Sequence, residues 1–559
     1  MKKKWFLFCA LGVMSLFATA QQNYPQWALN LVNLNTDIID SVQMYPHQEE
    51  SDYTSYIIYY HRPLTYKNPQ GENFSMRALL SVRDDMDATH AVNHIYITGY
   101  QIGKEYIKNP TDDLDNGDET DVTEIGMRYK ANYIMLEHRY FTGSAPDNCW
   151  TRLDYCTSEE AAEDFHAIIN AMKKVLLGKW VISGSSKGGI TTALQQMYHP
   201  EDADIFVPYS APFFDTYRDT VMQHYWLNNG WSQSLRDYMM AFRRAAADTS
   251  QYPAIYNVYY FDNGYGHESS AGQDSLWAMY LCRVADFGFL AHAYLDTATI
   301  YRFLAQNDTI LQTIWGNTYY NDTAIAYMIA HDSITLRWMG PWLDTLRKYS
   351  HLQQCPPRRR MYHRPNMPVG ITEKEWFDGD SSGHAYEYQA RRELGYYDLR
   401  FTEIMTDPVK AAALNAKLDQ YNGHGAIRYP WGNAFTFSPD IYNRVTAATQ
   451  QATKPIIFIY GLDDTWTGAA MKDRYINGTN VRKFIFPNQN HNVAYSSRTD
   501  ESMTNDILAM LDAVLGPPVG IESVAAQTGG SKAVKVIENG QLYIIRNNVK
   551  YDLTGKICK

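Results

Sequence analysis

The chain has 559 residues, of which 45% are hydrophobic and 20% charged, and its formal net charge is −11. This length and apolar share are enough for one large core with an insertion, or for two to three domains. The acidic balance argues against nucleic acid or an anionic membrane as partner, because polyanions repel a negatively charged surface.

Residues 1–20 read as a secretory signal. Lys2, Lys3 and Lys4 precede an apolar run from Trp5 to Phe17, and Ala18-Thr19-Ala20 offers small residues for cleavage. The run is shorter than the ~20 apolar residues a spanning helix needs, and no later span is visible. The expectation is an exported protein without membrane insertion, located in the periplasm, at the cell surface or outside the cell. Removing the signal takes away three lysines and no acid, which moves the net charge from −11 to −14. Cys149, Cys156, Cys282, Cys355 and Cys558 remain. Their spacing fits no zinc pattern, so no metal or other cofactor is expected. The short loop between Cys149 and Cys156 makes these two the expected disulfide in an oxidising compartment.

Residues 53–62 and 73–82 are rich in β-branched and aromatic side chains and flank Asn68-Pro69-Gln70-Gly71, which predicts a β-hairpin. A third strand at 94–97 runs into Thr98-Gly99-Tyr100. The acidic stretch 111–121 reads as a solvated loop, since its glycine is misplaced for a calcium-binding hand. A strand at 133–136 leads into Glu137-His138-Arg139-Tyr140-Phe141. Thr157-Ser158-Glu159-Glu160 is a capping box, and the spacing of Ala161, Phe165, Ile168, Ile169, Met172, Val175 and Leu176 predicts an amphipathic helix.

An apolar run from Lys179 then feeds Gly184-x-Ser186-x-Gly188, followed by a helical segment to Tyr198 and a strand at 205–209. Strand, sharp turn and helix around a serine form a nucleophile elbow, in which small flanking residues let a strained turn close. Alternation of strands and helices from 94 to 209 predicts a mostly parallel sheet covered on both faces. Between 212 and 440 the apolar spacing turns helical, which predicts a mainly helical cap inserted into the sheet domain, with 355–360 as an exposed basic loop. Strands return at 455–460 and 483–486, and a helix closes the domain near 501–515. The expected organisation is a signal at 1–20, core at 21–211, cap at 212–440, core again at 441–520, and a linker with a β tail module at 521–559.

A serine nucleophile needs a base to take its proton and a carboxylate to orient that base. In the α/β-hydrolase arrangement these follow in the order Ser, Asp, His, each after a strand. Gly461-Leu462-Asp463-Asp464 follows the strand at 455–460, and Asn490-His491-Asn492 follows the one at 483–486. Asp464, three residues beyond the glycine, is the expected acid, His491 the expected base, and Asp463 a solvated turn residue. The oxyanion hole is expected from the backbone N–H groups of Lys187 and Tyr100, with the Lys187 side chain in solvent.

Leu136-Glu137-His138-Arg139-Tyr140-Phe141, Thr157-Ser158-Glu159-Glu160-Ala161-Ala162, Gly178-Lys179-Trp180-Val181 and Gly184-Ser185-Ser186-Lys187-Gly188-Gly189 resemble the secreted prolyl tri/tetrapeptidyl aminopeptidases. These are serine peptidases of α/β-hydrolase fold related to prolylcarboxypeptidase and dipeptidyl peptidase II. The resemblance covers roughly residues 50–515. It implies release of short peptides, chiefly tripeptides, from free N-termini of oligopeptides, with Ser186, Asp464 and His491 as the triad and Trp466 as a wall of the P1 pocket. Thr465 stands where the sister group often carries proline. An aminopeptidase also needs a carboxylate for the substrate ammonium. The cap is expected to supply it; Glu137 is the candidate outside the cap, unless it pairs with Arg139. An esterase or lipase on the same fold, and a non-catalytic peptide or glycan binder, are the alternative readings.

Overall fold

The computed structural model describes residues 24–45, 51–116, 119–229, 381–421 and 436–518, scattered positions between 233 and 281, and the backbone of four short strands between 534 and 558. The signal at 1–20, the basic loop at 355–360 and most of the expected cap lie outside the described residues. The chain forms two compact units, one ending at Gly516 and the other beginning at Pro517.

In the first unit, helix α1 (Gln26–Asn33) precedes β1 (Ile39–Met44), β2 (Tyr53–Pro63), β3 (Asn73–Arg83) and β4 (Asn93–Ile97). Three short helices follow, α2 (Lys104–Lys108), α3 (Asp112–Asn116) and α4 (Glu124–Tyr129), then β5 (Asn132–Leu136), α5 (Ser158–Lys173), β6 (Trp180–Ser185), α6 (Lys187–Tyr198) and β7 (Ile205–Tyr209). The described parts of the region after β7 are α7 (Val221–Asn228), α8 (Ser381–Gln389), which continues as a π-helical turn at Ala390–Leu394, and α9 (Pro408–Tyr421). The unit closes with α10 (Asp440–Gln450), β8 (Ile456–Gly461), β9 (Val481–Phe486) and α11 (Glu501–Leu515).

The nine strands order as β1-β2-β3-β5-β4-β6-β7-β8-β9. The β1–β2, β2–β3 and β3–β5 pairs are antiparallel, and every pair from β5 to β9 is parallel. The 53–62 and 73–82 segments pair in continuous register from Tyr53↔Arg83 to Pro63↔Asn73, as the hairpin reading expects. The central strands are buried throughout, except for Ser185 at the end of β6, because helices cover both faces. Period-2 alternation sends Ile182, Phe206 and Phe458 into one core with α5, α6 and α10, and Val181, Val207 and Ile459 into the other with α4 and α11. β5 lies on one side of β4 and β6 on the other, so the carboxyl edges of β4 and β6 frame the crevice where open α/β sheets bind ligands.

Thr157 caps α5 by accepting the Glu160 N–H at 3.2 Å. The Glu160 carboxylate bonds Thr65 Oγ1 and the Tyr66 N–H instead of returning to Thr157. Half of the expected capping box therefore serves as a tie between α5 and the β2–β3 connection. The acidic stretch also departs from a solvated loop: α3 forms within it, and Thr111 and Asp121 are buried. Cys149 and Cys156 are both buried free thiols, not a disulfide. No described helix is long and apolar enough to cross a membrane. In the second unit the strands β10 (Val534–Glu538), β11 (Gln541–Arg546), β12 (Val549–Tyr551) and β13 (Ile557–Cys558) make an antiparallel sheet in that order.

Candidate active site

Ser186 sits between β6 and α6 with φ 56° and ψ −120°, a backbone conformation that costs an L-residue about 1–3 kcal/mol and is held only by its surroundings. Its N–H donates to Tyr209 O at 3.0 Å, and its carbonyl accepts from Ile190 at 3.0 Å, already part of α6. A Cβ on Gly188 would lie 2.3 Å from Ile97 O, and one on Gly99, at φ +73°, 2.4 Å from Gly188 N. Glycine at both places lets the end of β4 press against the first turn of α6, bringing the Thr98-Gly99-Tyr100 loop to the elbow.

Asp464 follows β8 and is fully buried. Its Oδ1 accepts the Trp466 N–H at 3.0 Å and its Oδ2 lies 2.9 Å from His491 Nδ1. His491 follows β9, and its carbonyl accepts Ser210 Oγ at 3.1 Å, one residue beyond the Tyr209 carbonyl that holds Ser186. The three residues thus gather at the carboxyl ends of β6, β8 and β9. Asp463 is largely buried instead of solvated, and that burial raises its carboxyl above the ordinary value.

Beneath this group Glu124 accepts from Tyr209 Oη at 2.7 Å, Ser496 N at 2.8 Å and Tyr495 N at 3.3 Å, tying the histidine loop to β7. Burial pushes its carboxyl up from 4.5 to about 8, against the pull of those donors. Between those values the folded protein holds a proton that the unfolded chain has released, so stability falls as pH rises through that window. Glu124→Gln is expected to flatten the decline, measured by denaturant unfolding at pH 5 and pH 8. Asp121 is a second carboxyl near the site: burial raises it, and a bond from the Ser185 side chain and the nearness of His491 pull it down. It lies in the stretch that reads as solvated, and only its position after α3 reveals it.

The Lys187 side chain is buried, not solvated. Its Nζ donates to Gly99 O at 2.6 Å and stands 5.2 Å and 5.7 Å from the ring centres of Phe141 and Tyr100. Burial brings this amine down to about 7. The side chain therefore fastens the Gly99–Tyr100 loop to the residue after Ser186. The Tyr100 N–H, the second expected oxyanion donor, points at Thr98 Oγ1 at 3.2 Å and has to leave that hydroxyl to serve an oxyanion.

Aromatic rings connect the two sides of the crevice. Tyr100 meets Tyr386 at 5.6 Å between ring centres, Tyr386 meets Tyr396 at 5.8 Å, Tyr396 stacks on Tyr397 at 4.5 Å, Tyr397 meets Trp466 at 5.3 Å, and Trp466 meets His491 at 5.8 Å. Trp466 is thus adjacent to the histidine. The three tyrosines were missed by sequence reading, because the chain between 230 and 380 separates them from the elbow.

Glu137 is corrected from a substrate-binding candidate to a structural ion. Its two oxygens, fully buried, accept Arg77 Nε and Nη2, each at 2.7 Å, Ser144 Oγ at 2.8 Å and the Ile102 N–H at 3.0 Å, with Arg77 itself partly buried. Arg139 pairs with Asp164 at 2.6 Å instead. Glu137→Ala is expected to cost about 3–5 kcal/mol of unfolding free energy, because it strands the Arg77 guanidinium. An ammonium anchor would instead raise KM with stability unchanged. A Ser–His side-chain contact outside the proposed triad, His94 Nε2 to Ser183 Oγ at 2.7 Å, lies fully buried between β4 and β6. Burial lowers His94 to about 3, so it is a neutral core histidine.

This sheet order, with an elbow serine after β6 and an acid and a histidine after the last two strands, defines an α/β-hydrolase. Within that class the chain belongs to the PS-10 peptidase S37 family, a family of serine peptidases whose model matches residues 32–339. It is similar to the prolyl tri/tetrapeptidyl aminopeptidase of Streptomyces mobaraensis, with 23% identity over 485 residues, covering 83% of this chain and 82% of that one. Among solved structures it is similar to the proline iminopeptidase of Mycobacterium smegmatis, at 11% identity and TM-score 0.30, covering 85% of this chain and 98% of that one. The rice cell wall degrading esterase LipA of Xanthomonas oryzae gives the same identity, score and coverage.

Proposed function

We propose that the protein is an exported serine exopeptidase that releases short peptides, chiefly tripeptides, from the free N-termini of oligopeptides. Ser186 attacks the scissile carbonyl while His491, oriented by Asp464, takes its proton. The acyl-enzyme is then hydrolysed by water with His491 again as base. The N–H groups of Lys187 and Tyr100 stabilise the oxyanion. The observation that carries this reading is the strained Ser186 at the end of β6 together with the 2.9 Å His491–Asp464 contact at the ends of β8 and β9.

The name of the Streptomyces relative supports the exopeptidase part. The aromatic arc of Tyr386, Tyr396, Tyr397 and Trp466 supports a flat, apolar P1 residue such as proline, which packs well on ring faces. Export is supported by the signal at residues 1–20.

The test is hydrolysis of fluorogenic tripeptides ending in proline or alanine, each with a free and a succinylated N-terminus. Cleavage of the free forms alone is the expected result. Equal cleavage of blocked forms, or cleavage of an acyl ester with no peptide cleaved, would overturn it. Trp466→Ala is expected to lower kcat/KM for the proline substrate roughly ten- to hundredfold, a loss of about 1.4–2.7 kcal/mol of transition-state binding, with a smaller effect on the alanine substrate.

A further inference from the structure

On the face of the sheet covered by α5 and α6, two histidines from different helices lie against one another. His166, in the middle of α5, and His199, directly after α6, stack with ring centres 3.8 Å apart and planes 15° from parallel. Asp202 stands beside them, and the ligand atoms of the three lie within 4.8 Å of one another.

The Nδ1 atoms of both rings lie on the side of Glu201. There His166 Nδ1 is 2.8 Å from Asp202 Oδ1 and 3.7 Å from Glu201 Oε1, and His199 Nδ1 is 3.4 Å from the same Glu201 oxygen. In a tetrahedral site with bonds of about 2.0–2.1 Å, neighbouring ligand atoms are about 3.3 Å apart. Three of the six separations among these four atoms are already near that value.

His199, His166 and Asp202 also have the outer partners that metal sites use to fix tautomer and orientation. His199 Nε2 lies 3.1 Å from Glu163 Oε1; a proton held there puts the lone pair on Nδ1, where an ion would replace the proton that Nδ1 shares with Glu201 at 3.4 Å. His166 Nε2 is 2.8 Å from the Asn170 amide, and turning that amide over lets its oxygen accept the Nε2 proton. The buried Gln195 donates to Asp202 Oδ2 at 2.6 Å. With neutral imidazoles the three carboxylates of Glu163, Glu201 and Asp202 outweigh the Lys173 amine, whose Nζ donates to Glu201 O at 2.7 Å. Glu201 is more than half exposed and His166 about a quarter, so a solvated ion has a way in.

We propose that His166, His199, Asp202 and Glu201 form a binding site for a divalent transition-metal cation of the zinc class, which staples the C-terminal end of α6 to α5. The site is not part of the catalytic machinery: the twelve residues of α6 separate it from Ser186 by about 18 Å. Its consequence is mechanical, because α6 is the helix that carries the elbow at its other end.

The test strips the full-length protein with a chelator, re-equilibrates it with micromolar Zn2+ and measures bound metal after gel filtration. One equivalent per chain is expected for the wild type, none for His166→Gln, and a ten- to hundredfold weaker site for Glu201→Ala, whose exposed side chain is not needed for folding. Titration with Co2+ is expected to give the strong visible bands of a tetrahedral site in the wild type alone. The thermal midpoint is expected to rise with Zn2+ in the wild type and not in His166→Gln. A wild type that retains no zinc, or one whose zinc and cobalt signals persist in both variants, overturns the proposal.

Discussion

Ser186→Ala is expected to reduce kcat by about 10⁶-fold, to the level left by binding and the oxyanion donors alone. The change removes one oxygen atom and nothing else from the site. The backbone strain at φ 56° is carried by the Tyr209 O and Ile190 N hydrogen bonds and by the close approach of β4 to α6, none of which involves the hydroxyl. The unfolding midpoint is therefore expected to stay at the wild-type value. Turnover of the best tripeptide substrate, measured together with labelling by a fluorophosphonate, checks this. A variant that keeps more than a thousandth of the activity would place the nucleophile elsewhere.

Asp464→Asn is expected to lower kcat by about 10⁴-fold with little change in KM. The asparagine can keep the bond from the Trp466 N–H through its oxygen, so the turn after β8 survives. Its amide then faces His491 Nδ1, where the carboxylate oxygen stands now at 2.9 Å. An amide donor there favours the tautomer with the proton on Nε2, which cannot accept the Ser186 proton. It also removes the negative charge that stabilises the imidazolium. A loss in kcat at unchanged stability distinguishes this from a folding defect. A loss below tenfold would mean that another carboxylate orients the histidine, and Asp121, which lies near His491, is the one to replace next.

Much of this could be read along the chain. Apolar runs of four to six residues marked β4 to β9, and the helical stripe from Ala161 to Met172 appears as buried positions on α5. The order Ser186, Asp464, His491 was legible because each residue follows its own strand, and parallel strands deliver their ends to one edge. These are local signals, set by side-chain periodicity and by glycine at tight turns.

What failed to show along the chain was pairing across it. Glu137 reads as an ammonium anchor or a partner of Arg139, but register places Ala78 opposite Leu136 and so brings Arg77 to the carboxylate. Lys187 and Asp463 read as solvated because lysine and aspartate usually are. The covering loop and the sheet edge bury both. Asp121 reads the same way, but folding buries it beside Ser185. The tyrosine arc and the His166–His199 stack join residues far apart in sequence, and no spacing rule predicts which two helix faces will touch.

The sequence by itself determined the strands, the elbow, the chain order of the three proposed catalytic residues and the family motifs, because each depends on neighbours within a few residues. The tertiary structure alone decided which carboxylates are structural ions, which amine is buried beside the serine, which rings line the crevice and where two histidines meet. Those outcomes depend on desolvation and on partners brought together by sheet order, and neither quantity exists in the unfolded chain.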